Sequence, residues 1–110
     1  MRGDMMEHKD VMGMMAEMGI PYAYHHFAEG ESPDPPFAVF YYPGDGNFAA
    51  DGKVYFKINQ LHVEIYTDVK DPELEQRVEA VLDGRGLFYR KAEAWIESER
   101  LYEVLYQMEV

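Results

Sequence analysis

Hydrophobic positions along the chain change period twice, and those changes set out its elements. Between residues 53 and 66, Val54, Phe56 and Ile58 alternate with polar neighbours on even positions. Leu61, Val63 and Ile65 then alternate on odd ones. Alternation predicts a long strand over 53–66, but a strand of strict period two cannot bury both sets on one face. Either a bulge near Asn59–Gln60 resets the register, or the sheet is covered on both faces in its first half; the favoured readings are the bulge, or a strand whose first half outruns its own domain. In that last case Tyr55 or Phe56 is left for a neighbouring subunit. From residue 71 the period becomes helical: Leu74, Val78, Val81 and Leu82 share one face. Asp71 is placed to cap this helix, Pro72 suits its first position, and Glu73 and Glu75 complement the positive end of its dipole. Glu75 and Glu79 flank the apolar face, and Gly84 and Gly86 stop a helix over 71–83.

The remaining segments fall into place around that pair. A first helix is expected over 4–18. Asp4 and Glu7 resemble a capping box, Met5, Val11, Met12, Met15 and Met18 form an apolar stripe, and Gly19 and Pro21 end it. A methionine stripe suits an adaptable partner surface, but core packing is the commoner use. Residues 22–27 (YAYHHF) read as a short aromatic strand. Residues 28–36 carry Pro33, Pro35 and Pro36 and read as a loop; their PxxP spacing is too short a match to outweigh that. Residues 37–42 read as a central strand. Asp51–Gly52 is hairpin-turn chemistry, so that strand and the one from Val54 onward are expected to run antiparallel, with a long excursion over 37–58 between and along them. Residues 87–91 and 92–97 form two short strands or one bent strand. Over 101–110, Tyr102, Val104, Tyr106, Met108 and Val110 point one way, as in a strand with one buried face. The expected fold is α+β: one domain over 1–110, a mostly antiparallel sheet of four to six strands with two helices packed on it, in the order α-β-β-β-α-β-β with room for one more strand.

Composition narrows the function classes. A net charge of -11 opposes direct binding to nucleic-acid phosphates or anionic membranes and favours solubility or a basic partner. The absence of cysteine removes disulfides, thiolate metal sites and cysteine nucleophiles, and fits a reducing compartment. Charged residues interrupt the methionine-rich start, so it does not read as a signal peptide, and no run has the length of a membrane span. His25 and His26 are adjacent; on a strand they face opposite ways and cannot share one ion. His62 could meet one of them across strands with a carboxylate, as in a zinc site, although half-exposed histidines in an aromatic belt are the plainer reading. The segment PGDGNFAADGK lacks phosphate-loop spacing, and Ser32 and Ser98 lie outside any nucleophile elbow. No catalytic, cofactor-binding or metal-ligating residue is assigned, no cofactor is called for, and the chain is read as a non-enzyme.

The segments PYAYHHF, the proline-rich loop, ADGKVYFKINQLHVEIYTDVKDPELEQRVEAVLD and WIESERLYEVLYQMEV carry a resemblance from about Pro21 onward. Together they resemble small structural proteins of tailed phages and prophages of Gram-positive bacteria, in the head–tail connection or tail-completion (tail terminator-like) group. The junction IYTDVKDPELE is its most characteristic part. The resemblance implies a virion assembly subunit that forms a homo-oligomeric ring and meets other neck and tail proteins. It implies residence in the bacterial host cytoplasm during assembly and then in the virion; no direct nucleic-acid binding and no membrane is expected, on the net charge given above. Phe48, Lys53, Tyr55 and Phe56 are the expected subunit-interface residues. Two other classes stand beside this one: an acidic protein-binding module that mimics DNA, and a small-molecule-binding regulatory domain with a pocket between sheet and helices.

Overall fold

The computed structural model describes residues 6–43 and 60–110. Among them are two helices and five strands: α1 (His8–Glu17), β1 (Tyr22–Tyr24), β2 (Phe37–Tyr41), β3 (Gln60–Thr67), α2 (Pro72–Gly84), β4 (Tyr89–Ile96) and β5 (Leu101–Glu109). The strands form one sheet in the order β1-β2-β3-β5-β4. β1 runs parallel to β2, and every other neighbouring pair is antiparallel. The fold is the expected α+β arrangement, with elements in the order α-β-β-β-α-β-β.

The core lies on one face of the sheet. Ala38 and Phe40 of β2, Leu61, Val63 and Ile65 of β3, and Val104, Tyr106 and Met108 of β5 cluster there with Val11, Met14 and Met15 of α1 and Leu74, Val78 and Leu82 of α2. Register aligns these residues in rows across the strands: Phe40 is opposite Val63, and Val63 is opposite Tyr106. Each buried side chain therefore has neighbours on both sides as well as a helix above, and burial of this kind is the main favourable term in folding.

α2 forms as its sequence predicts. Asp71 Oδ1 accepts from the Leu74 N–H at 3.1 Å, and Pro72 opens the helix. α1 departs from expectation. Its N-cap is Glu7, whose N–H donates to the Asp10 carboxylate at 2.9 Å, so the cap pairing falls on Glu7 and Asp10 rather than on Asp4 and Glu7. Asp4 and Met5 lie outside the described residues. The buried row is Val11, Met14, Met15 and Met18, while Met12 is 36% exposed. A helix turns about 100° per residue, which takes position 12 off the face that 11, 15 and 18 share.

β1 is shorter than the expected 22–27. It ends at Tyr24 because His25 adopts φ 70°, which no strand residue does. β2 and β3 pair antiparallel, as the hairpin reading required. Residues 87–97 resolve into the single-strand alternative, β4, entered through Gly86 at φ 72°. The register reset at Asn59–Gln60, the stretch 53–59 of the expected long strand and the hairpin excursion beyond Pro43 lie outside the described residues.

Two ion-paired side chains fasten α2 to the sheet. Lys70 and Lys91 both contact the Glu75 carboxylate at 2.8 Å, and Lys91 also reaches Glu79 at 2.7 Å. The Tyr106 hydroxyl donates to Glu79 at 2.8 Å, which satisfies the one polar atom that Tyr106 brings into the core. Glu75, expected at the flank of the helix, is 7% exposed. Burial alone would raise its carboxyl pKa, but hydrogen bonds from Lys70 and Lys91 outweigh burial and hold it below the ordinary value.

Candidate functional site

The face of the sheet turned away from the helices is built by the alternate positions of the same strands. Register sorts them into three rows. Phe37, Tyr66, Glu103 and Ala94 form one; Val39, Glu64, Leu105 and Ala92 the next; Tyr41, His62, Gln107 and Arg90 the third. Strands of period two that bury one face place these residues on the other, and antiparallel pairing brings them side by side.

A chain of hydrogen bonds connects the rows. The Tyr66 hydroxyl lies 2.6 Å from Glu64 and 3.2 Å from Glu103, so two carboxylates compete for its one proton. Tyr41 donates to Glu64 at 3.0 Å, His62 Nδ1 is 3.2 Å from the Tyr41 hydroxyl, and Gln107 lies 3.5 Å from the other nitrogen of His62. Phe37 stacks on Tyr66, with ring centroids 5.2 Å apart.

Electrostatics follow from that crowding. Burial and then Glu64 push the Tyr41 hydroxyl up to about 12. Tyr66 is raised for the same two reasons. Both tyrosines therefore serve as donors and not as bases near neutrality. Burial, and the negative Glu64 beside it, raise the Glu103 carboxyl above its ordinary value. Burial lowers His62; Glu64 opposes that shift and Arg90 adds to it. The arrangement sets two carboxylates, Glu64 and Glu103, on a largely aromatic ground, with Arg90 as the cation at its edge.

The two halves of this face differ in cover. Over β2, Phe27 meets Phe37 edge-on at 5.5 Å, and Phe37 and Val39 are buried. Over β4 and β5 the side chains stand open: Ala92 and Ala94 are exposed, and Leu101, Leu105 and Ile96 half-buried. Just before β4, Phe88 is 91% exposed. β4 is also the last strand of the sheet order, so the backbone groups on its outer side have no strand beside them among the described residues.

The expected subunit-interface residues, Phe48, Lys53, Tyr55 and Phe56, lie outside the described residues. The expectation for His25 and His26 is corrected. They sit past the end of β1 and not on a strand, and the positive φ of His25 brings the two Nδ1 atoms to 3.0 Å. His62 joins neither; it lies against Tyr41, with ring centroids 5.2 Å apart. Among the described residues no group of three or more histidine or carboxylate side chains is placed to hold a metal ion. Tyr41, Glu64, Tyr66 and Glu103 carry no motif that singles them out in the sequence. Alternation around Glu64 signals its face, but its partners come from β2 and β5 and need the sheet register to be found.

No protein-family model, curated protein or solved structure matches the chain.

Proposed function

We propose that the protein is a non-catalytic assembly subunit that works by pairing its sheet edge and the open half of its sheet with a neighbour. The phage-protein resemblance gives this reading its setting: a virion assembly subunit for tail completion or head–tail joining, associating with copies of itself in a ring and with neck and tail proteins. That setting implies the host cytoplasm during assembly, then the virion.

The observation that carries the proposal is β4. It is an eight-residue edge strand, and natural edges of that length are generally blunted or covered. Two of its charged side chains, Lys91 and Glu93, are drawn to the helix side by Glu75, Glu79 and Lys70. Small residues, Ala92 and Ala94, face the open side, where a second backbone can come close. Phe88 stands at one end of the strand and Ile96 at the other as apolar anchors. Strand addition at an edge takes its affinity from main-chain hydrogen bonds and its specificity from flanking side chains. A net charge of -11 sets copies against one another, so association is expected to strengthen with salt.

Multi-angle light scattering over a concentration series, with negative-stain imaging of the heaviest fraction, tests the reading. Association of the wild type, visible as rings, is expected. Phe88→Glu with Ala94→Lys is expected to give a monomer of unchanged circular dichroism. A wild-type monomer at all concentrations, with neck and tail proteins present and unbound, would sink it. Glu64 and Glu103 favour one second reading, an acidic protein-binding module whose partner presents a lysine or arginine to this face.

A further inference from the structure

The turn after β1 has a geometry that the assembly reading does not use. In a strand, neighbouring side chains point to opposite faces. His25 leaves that pattern with φ 70°, and the His26 N–H donates to the Tyr24 carbonyl, two residues back, at 2.7 Å. This is the positive-φ form of the γ-turn, the rarer and more strained of the two. A second bond fixes it to the sheet: the His25 N–H donates to the Phe40 carbonyl at 2.7 Å. A non-glycine residue in this region costs on the order of 1–3 kcal/mol and persists where its surroundings hold it there. The consequence is that two adjacent imidazoles converge. Their Nδ1 atoms are 3.0 Å apart and both residues are exposed.

We propose that His25 and His26 form a two-nitrogen binding site for a late first-row divalent metal ion, with Cu²⁺ bound most tightly and Zn²⁺ less so. A metal bound to imidazole at about 2.0–2.1 Å, with an angle between about 90° and 110° at the metal, spans nitrogens about 2.8–3.4 Å apart. The observed 3.0 Å lies in that interval. In the metal-free pair one Nδ1–H faces the other ring's lone pair. With the proton of each neutral ring on Nε2, both Nδ1 lone pairs are free for the ion, and binding from the neutral pair releases no net proton. Glu29 and Ser32 line the same surface hollow as the two histidines, but among the described residues no carboxylate is placed as a third ligand, so solvent fills the positions that the imidazoles leave open. Imidazole ligands and an open coordination sphere suit Cu²⁺ above Zn²⁺ in the order of divalent affinities.

The test uses the full chain, titrated with Cu²⁺ and separately with Zn²⁺ by calorimetry at neutral pH, and electron paramagnetic resonance of the Cu²⁺ form. One Cu²⁺ per chain is expected, with Zn²⁺ at least about tenfold weaker. His25→Asn and His26→Asn are each expected to weaken Cu²⁺ by at least about tenfold and to reduce the nitrogen hyperfine pattern from two imidazoles to one. Asparagine tolerates positive φ better than other side chains, so His25→Asn removes the ligand while keeping the turn. Circular dichroism of both variants checks that the fold is retained. A doubly substituted protein that binds Cu²⁺ as tightly as the wild type would overturn the proposal. So would a wild-type spectrum with a single imidazole, which would leave the two histidines as a hydrogen-bonded surface pair.

Discussion

Phe40, Val63 and Tyr106 lie side by side across β2, β3 and β5 beneath the helices. One residue away along each strand, Val39, Glu64 and Leu105 lie side by side on the other face. The backbone is shared and the two solutions differ. Under the helices the side chains are apolar and closed from water, and the one hydroxyl in the row, that of Tyr106, is answered by Glu79. On the other face two carboxylates are held by tyrosine hydroxyls, and the row ends at β4 in exposed alanines. The first face is completed by the chain's own helices. The second holds its charge in place and leaves its side chains over β4 exposed.

Substitution can sharpen or break that contrast. The largest effect is expected from Phe40→Ala, which opens a cavity on the covered face and should cost about 3–5 kcal/mol in urea unfolding. Val39→Ala on the facing side should cost about 1 kcal/mol, and equal losses would erase the distinction between the faces. Next comes Glu75→Gln, which leaves Lys70 and Lys91 without their shared carboxylate. A loss of about 2 kcal/mol is expected at neutral pH. The Glu75 carboxyl is lowered in the folded state, so its contribution is full above the unfolded pKa and fades as pH falls through the folded one. The difference between Glu75→Gln and wild type should therefore shrink in acid.

Tyr66→Phe should cost about 1 kcal/mol, since it removes the donor shared by Glu64 and Glu103. Smallest is Glu103→Gln, expected to stabilise by about 0.5 kcal/mol above neutrality by relieving repulsion from Glu64. The folded Glu103 carboxyl is raised, so the wild type loses stability as pH rises through that value. The gain from Glu103→Gln should accordingly appear at high pH and vanish in acid. A destabilised Glu103→Gln at high pH would mean that the open face gains from its negative pair.

The elements legible in the sequence are those whose signals are local. α2 announces itself by Asp71, Pro72 and its apolar stripe, and β5 by strict alternation from Tyr102 to Val110. The start of α1 is less legible, because glutamate is an uncommon cap and Asp4 offers a commoner one three residues before Glu7. The turn at His25 was hidden for a related reason: positive φ is expected of glycine, and nothing in YAYHHF advertises it. The open face was half legible. Glu64 between Val63 and Ile65 marks a polar side of β3, but its tyrosine partners come from positions 41 and 66 and its carboxylate neighbour from 103. Such partners depend on register between strands far apart in the chain, which period alone does not supply. The burial of Glu75 is not legible in the sequence, because a helix flank becomes interior only when a second element, here β4 with Lys91, packs beside it.

The central claim, that β4 is an edge made to be paired, is tested most directly by hydrogen exchange of its backbone amides at low and high protein concentration. The account predicts that the amides of residues 89–96 directed away from β5 gain protection as concentration rises, and that Phe88→Glu with Ala94→Lys removes the gain. Exchange at β4 that stays the same across the concentration range, while the molecular mass stays that of one chain, would contradict it.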